Sequence, residues 1–292
     1  MPARLAEIVE HTRGVVEAAR SARPEAELRS RAMDGESPRP FAASVRRSQE
    51  RAGIIAEIKR MSPSAGVIRP EGSRWSGDHP SDRGIGFEPE GIAERYLLGG
   101  ASAISCLTEE KFFGGSLSYL ARVRSACPLP VLRKDFVLGS YQVWEARAAG
   151  ADAVLLIAEC LLGADGSAGL IEDLTLLSES LGMSTLIEVH DAWSLECVAH
   201  LVGPEAPASR LLGINNRDLR TMRTDLGHLE RLVPSVPDVG RLVAESGIRT
   251  TADLDRLGSA GVRMALVGEH LMRQEDPGAA LAALLGRGVD GA

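Results

Sequence analysis

Lysine is the scarcest charged residue in this 292-residue chain: of 33 basic residues, only Lys59, Lys111 and Lys134 are lysines. Arginine has taken nearly every place where a generic positive charge serves. It stays protonated under ordinary conditions, whereas a lysine can release its proton when burial and neighbours lower its pKa, so the few lysines are candidates for acid chemistry. Cysteine is sparse too. Cys106, Cys127, Cys160 and Cys197 form no CxxC pair and no metal-like spacing with histidine, which supports neither a disulfide framework nor a zinc site. Long hydrophobic runs are missing. The longest, 153–164, is interrupted by Glu159 and is too short to span a bilayer. The first twenty residues are amphipathic, with Glu7, Glu10, Arg13 and Glu17, and lack the apolar core and cleavage site of an export signal. A soluble, cytoplasmic protein is expected. A net charge of −7 argues against a general nucleic-acid or anionic-membrane binder, so an anionic ligand has to be held by local positive groups.

What is present is a regular alternation. Short β-branched or leucine-rich runs recur at 54–59, 103–108, 131–135, 153–158, 185–189, 211–216, 241–246 and 264–268, with amphipathic helical stretches between them. That is the pattern of parallel βαβ units. Glycine precedes several runs, as in Gly100-Ala101, Gly150-Ala151 and Gly261-Val262, where a helix ends before the chain turns into a strand. Eight evenly spaced units predict a closed (β/α)8 TIM barrel rather than an open doubly wound sheet. No GxGxxG stands where a dinucleotide-binding turn would need it. Residues 1–50 are expected to form an N-terminal helical extension packing over one end of the barrel, with 51–292 as the catalytic barrel of a single domain. Leu5, Ile8, Val15, Val16 and Ala19 make one apolar stripe, and Phe41, Ala42 and Val45 make another. The stretch 71–90, rich in Gly, Ser, Asp and Pro, is expected to be a long loop after the first strand.

In such barrels the C-terminal ends of the strands form the active face, and the unusual residues collect there. Glu57 and Lys59 end the first strand two residues apart, on one face. Lys134 ends the third strand, Glu188 and His190 the fifth, Asn215 and Arg217 the sixth, and Glu245 and Ser246 the seventh. A strand-end lysine can merely pair with a carboxylate; two lysines beside two glutamates favour proton transfer, with Glu188 as a general base tuned by partial burial. His190 has no partner histidine at ligand spacing, which points to a hydrogen-bonding role in its loop. Gly247 and Gly268, with Glu269 opening the next helix, stand after the seventh and eighth strands, the usual phosphate position. Phe113 and Phe136 follow strand ends in an aromatic-poor chain, as core packing or as a wall for an aromatic substrate.

Several segments together resemble the indole-3-glycerol-phosphate synthase family. They are Ile54-Ile55-Ala56-Glu57-Ile58-Lys59-Arg60 with Ser62-Pro63-Ser64, Leu132-Arg133-Lys134-Asp135-Phe136, Glu188-Val189-His190, Gly213-Ile214-Asn215-Asn216-Arg217-Asp218-Leu219 and Glu245-Ser246-Gly247-Ile248. The resemblance covers roughly residues 40–285. It implies a small-molecule substrate, 1-(o-carboxyphenylamino)-1-deoxyribulose 5-phosphate, converted to indole-3-glycerol phosphate, carbon dioxide and water, with no cofactor or metal. Carried onto matching positions, it makes Lys134 the acid that activates the carbonyl for ring closure, Glu188 and Lys59 the base and acid of dehydration, and Glu57 and Asn215 orienting groups. Ser62, Phe113, Phe136, Arg217, Leu219, Glu245 and Ser246 would line the substrate site, and Gly247, Gly268 and Glu269 the phosphate loops. The chain departs from the pattern at Ala65, where the family often has lysine, and in the 71–90 loop, about 15 residues longer than usual. A monomer or small homo-oligomer is expected.

Overall fold

The computed structural model describes residues 2–48, 50–70, 87–218, 221 and 223–287. Most of the predicted 71–90 loop, together with Leu219, lies outside them. Eight parallel strands close into a barrel: β1 Gly53–Ile58, β2 Ala103–Leu107, β3 Val131–Lys134, β4 Ala153–Ile157, β5 Ser184–Val189, β6 Arg210–Asn215, β7 Leu242–Glu245 and β8 Met264–Val267. Each observed strand lies within one residue of its predicted bounds. β8 closes the ring on β1, with Gly53 opposite Met264 and Ala56 opposite Val267.

Alternation along each strand divides the apolar residues into two cores. Ile54, Ala56 and Ile58 of β1 face outward and pack with Val154, Leu156, Ile187 and Leu212 beneath the surrounding helices. Ile55, Leu132, Leu155, Leu186, Leu211, Val243 and Leu266 fill the barrel itself. Both faces of every strand are thus covered, which is why the strands read as apolar runs rather than as alternating ones. Gly100 and Gly150 hold φ of 95° and 89° where helices turn toward β2 and β4, a left-handed conformation that side chains resist.

The N-terminal extension forms α1 Ala3–Ala22, α2 Glu25–Asp34 and α3 Phe41–Arg46. It reaches both ends of the barrel, not one. Leu5, Ile8 and Val9 of α1 pack with Phe112 and Phe136 at the C-terminal mouth, while Phe41, Ala42 and Val45 of α3 belong to the same core from the other end. There the Ala42 N–H donates to Ser184 Oγ, at the first residue of β5, at 3.2 Å. At the same end, just before β3 and β4, the Arg39 N–H donates to Asp152 Oδ1 at 2.7 Å, and its guanidinium donates to the carbonyls of Cys127 and Leu129, both at 2.8 Å. The expected α1 stripe is buried only in its first half. Val15 is half exposed, because α1 leaves the mouth after Thr12.

Two further differences concern the first βα unit. A small antiparallel hairpin, Met61–Ser62 with Gly66–Val67, follows β1, and the helix α4 begins at Pro89 and runs to Gly99. Pro89 at its first position suits a proline, which has no N–H to leave unpaired.

Candidate active site

All the predicted site residues except Leu219, which lies outside the described residues, line one cavity of about 370 Å³ at the C-terminal mouth. The cause is the period of the strands. Leu132 points into the barrel, so Lys134 does too, one pleat higher; Ile55 is followed in the same way by Glu57, Leu186 by Glu188 and Val243 by Glu245. The neighbouring Arg133 turns outward. It pairs with Asp135 at 3.0 Å and with Glu145, on the helix Ser140–Ala148, at 2.8 Å, as a buried structural cluster.

The charged groups form a connected cluster. Lys134 Nζ donates to Glu188 Oε2 at 3.0 Å and lies 3.8 Å from Glu245 Oε2. Asn215 Nδ2 donates to Glu188 Oε1 at 3.0 Å, and Asn215 Oδ1 accepts the Arg217 N–H at 3.0 Å. Lys59 Nζ lies 2.5 Å from Glu57 Oε1. Two glycines clear the space. A Cβ on Gly213 would stand 2.1 Å from Glu245 Oε1, and one on Gly268 would stand 2.4 Å from Glu57 Oε1. Gly268 is therefore required by the Glu57 carboxylate, a role invisible in the sequence.

Electrostatics correct two expectations. Burial alone would push Lys134 down, but the carboxylates of Glu188, Glu245 and Glu57 outweigh it and hold the ammonium above the usual lysine range. Burial would likewise raise Glu188, yet Lys134, His190 and Asn215 bring it down to about 2. So this lysine is firmly protonated and this glutamate firmly ionised. Glu245 behaves oppositely: burial, then the nearby Glu188 carboxylate, raise it well above the ordinary range.

Phe113 and Phe136 approach at 6.0 Å between ring centres, tilted by 40°, and with Leu5, Ile8, Leu155 and Ile157 they make the apolar side of the cavity. On the opposite side, Ser246 and Gly247 both take left-handed φ, 65° and 87°, and Arg249 and Arg273 join the lining. Arg217 lies 3.2 Å and Arg273 3.1 Å from the Glu269 carboxylate, so both counter its charge and leave its backbone N–H as the group suited to an anion. Ser62 Oγ accepts the Ala65 N–H at 3.2 Å inside the small hairpin. The third lysine, Lys111, sits 4.8 Å over the Phe112 ring and does not line the cavity.

Sequence reasoning missed Arg4, Leu5 and Ile8 as lining groups. Leu5 and Ile8 were legible as an apolar stripe, but not what they would cover. It also missed Glu159, on the one-turn helix Ala158–Leu161, which accepts the His190 N–H at 2.7 Å.

A closed parallel barrel with its ionisable groups at the strands' C-terminal mouth defines a (β/α)8-barrel enzyme. Solved structures support the fold alone: 3-hexulose-6-phosphate synthase from Salmonella typhimurium aligns with a TM-score of 0.58 at 12% identity, over 80% of this chain and 97% of its own. Thiamine phosphate pyrophosphorylase from Pyrococcus furiosus gives 0.51 at 18%, over 83% and 98%. The family model for indole-3-glycerol phosphate synthase matches residues 5–284, N-terminal helices included. Curated proteins of that name are 45% identical in Rhodopirellula baltica, over 96% of this chain and 98% of theirs, and 44% identical in Laribacter hongkongensis, over 92% and 94%. The chain belongs to the indole-3-glycerol phosphate synthase family.

Proposed function

We propose that this mouth closes the indole ring of 1-(o-carboxyphenylamino)-1-deoxyribulose 5-phosphate, releasing carbon dioxide and water, as a cytoplasmic step of tryptophan biosynthesis. The observation that carries this reading is the Lys134–Glu188 pair at 3.0 Å beneath an aromatic wall. Lys134 donates to the substrate carbonyl as the ring carbon attacks, and its proton passes to the developing alkoxide. An alkoxide is a far stronger base than an amine, so the elevated pKa of Lys134 does not obstruct that transfer. The carboxylate then leaves as carbon dioxide, and its bonding electrons return to the ring.

Dehydration follows. Lys59, steadied by Glu57, protonates the departing hydroxyl, while Glu188 takes the proton from the adjacent carbon. Once Lys134 has given up its proton, the larger of the charges that hold Glu188 down is gone and its basicity rises. The proton captured by Glu188 can then return across 3.0 Å to Lys134. Two protons are donated and one recovered, so each turnover draws one from solvent.

Phe113 and Phe136 pack the anthranilate ring, with Ser62, Arg217, Glu245 and Ser246 around the polar parts of the substrate. The phosphate rests on the backbone at Gly247, Gly268 and Glu269, near Arg249 and Arg273. Residues 1–50 act with the barrel as one catalytic unit, since Leu5 and Ile8 line the same cavity. The enzyme works as a monomer or small homo-oligomer, without nucleic acid.

The test is turnover of that substrate followed by indole fluorescence, comparing the wild type with Lys134→Met. Loss of at least about 1,000-fold in kcat with the fold intact supports the reading; a folded wild type that yields no indole-3-glycerol phosphate refutes it.

A further inference from the structure

His190 follows the last residue of β5, and its side chain is 9% exposed. The Glu159 carboxylate grips it twice: Oε1 accepts the His190 backbone N–H at 2.7 Å, and Oε2 lies 3.0 Å from Nδ1. The His190 carbonyl is engaged in turn by Nε2 of His228, on the helix Leu226–Leu232, at 2.9 Å. Backbone and ring are thereby fixed, and the second ring nitrogen is left facing the site. Nε2 lies 3.2 Å from Glu188 Oε1, out of line for a hydrogen bond, and is buried without another partner among the described residues.

A histidine that merely filled a gap would need one partner. This one stands between two carboxylates, with one ring nitrogen close to each, an arrangement whose charge favours the imidazolium. The ring also separates two spaces, lining the main cavity together with Glu188 and a second one together with Glu159 and His228. The titratable and charged groups around it are Glu188 on β5, Glu159 and Cys160 on the Ala158–Leu161 helix, Lys134 on β3, Asp191 next in sequence, and Arg217 and His228 from the segments after β6. Burial pushes the imidazole down, but Glu159 and Glu188 outweigh it against the opposing charge of Lys134, and the ring is held above its ordinary range.

We propose that His190, clamped by Glu159, is a positioning residue for the base: it supplies positive charge on the side of Glu188 away from Lys134 and keeps Oε1 aimed while Oε2 exchanges protons with Lys134. This rests on Glu188 being the base. When Lys134 passes its proton to the substrate, Glu188 loses one counter-charge. His190 is the second, and it keeps the buried carboxylate ionised until the substrate proton arrives.

The first test is independent of turnover. In the full-length protein, the His190 ring resonance, assigned against His190→Asn, is expected to titrate above 6.5, the ordinary histidine value. The midpoint is expected to fall by about one pH unit in Glu159→Gln and again in Glu188→Gln. A midpoint at or below 6.5 that neither substitution moves overturns the proposal. The second test is the pH profile of ring closure. His190→Asn is expected to lower kcat about tenfold with KM within about twofold, and to move the acid limb to higher pH because Glu188 has lost a neighbouring charge. Glu159→Gln, which keeps the ring, should draw the alkaline limb down. Variants that lose stability yet keep the wild-type shape of the profile would show a structural histidine and sink the idea. If the wild type makes no indole product, the reading of Glu188 as base fails, while the titration still decides whether His190 is held charged by its two carboxylates.

Discussion

Leu186 and Glu188 stand two residues apart on β5, point into the same barrel, and are both almost wholly removed from solvent. The lower residue packs in the apolar core of the barrel; the upper one meets Lys134, Asn215 and His190. The same contrast recurs between Ile55 and Glu57, Leu132 and Lys134, and Val243 and Glu245. Burial is common to both layers, so burial is not what distinguishes function from support. The lower layer is satisfied by packing alone. The upper layer is buried charge, which is tolerable only when every group has a counterpart and whose ionisation is therefore set by its neighbours.

The contrast can be broken from below. Leu186→Ala should remove about 3 kcal/mol of stability, read from the denaturant midpoint, while kcat of the folded fraction stays within about twofold. A large loss of kcat without loss of stability would mean that the layers are not separable. From above, Gly268→Ala should act in the opposite sense: its Cβ would displace the Glu57 carboxylate and with it Lys59. We expect kcat/KM to fall about 50-fold with little change in the thermal midpoint. Wild-type kinetics in that variant would remove Glu57 from the machinery.

A smaller effect separates Glu188 from Glu245. Glu245 is raised by burial and by Glu188, so its contribution to stability is present below its unfolded pKa and is lost as pH climbs through its folded value. Glu188 has the opposite sign. Its contribution is present above the unfolded value and is lost as pH falls toward 2. Glu245→Gln should therefore gain on the order of 1 kcal/mol over wild type at pH 7 and nothing at pH 4. A variant less stable than wild type at pH 7 contradicts that assignment. The smallest change tests whether α1 belongs to the upper layer: Ile8→Val should raise KM about twofold and cost about 0.5–1 kcal/mol. An unchanged KM would make α1 a support and nothing more.

The order of strands, their inward faces and the identity of most charged groups at the mouth were legible in the sequence, because each follows from local periodicity. A strand has a period of two, so placing Leu132 inside places Lys134 inside, and the scarcity of lysine singled it out. The family pattern was legible for the same reason, being carried by contiguous segments at strand ends. What only the tertiary structure decided depends on groups far apart in the chain. The sequence cannot say that Glu159 would grip His190 across 31 residues, that Gly268 would make room for Glu57, or that α1 and α3 would cover opposite ends of one barrel. Nor can it give the ionisation of Lys134, Glu188 and Glu245, since desolvation and charge pull each in opposite directions and the balance is set by distances of a few ångströms between strands that meet only when the barrel closes.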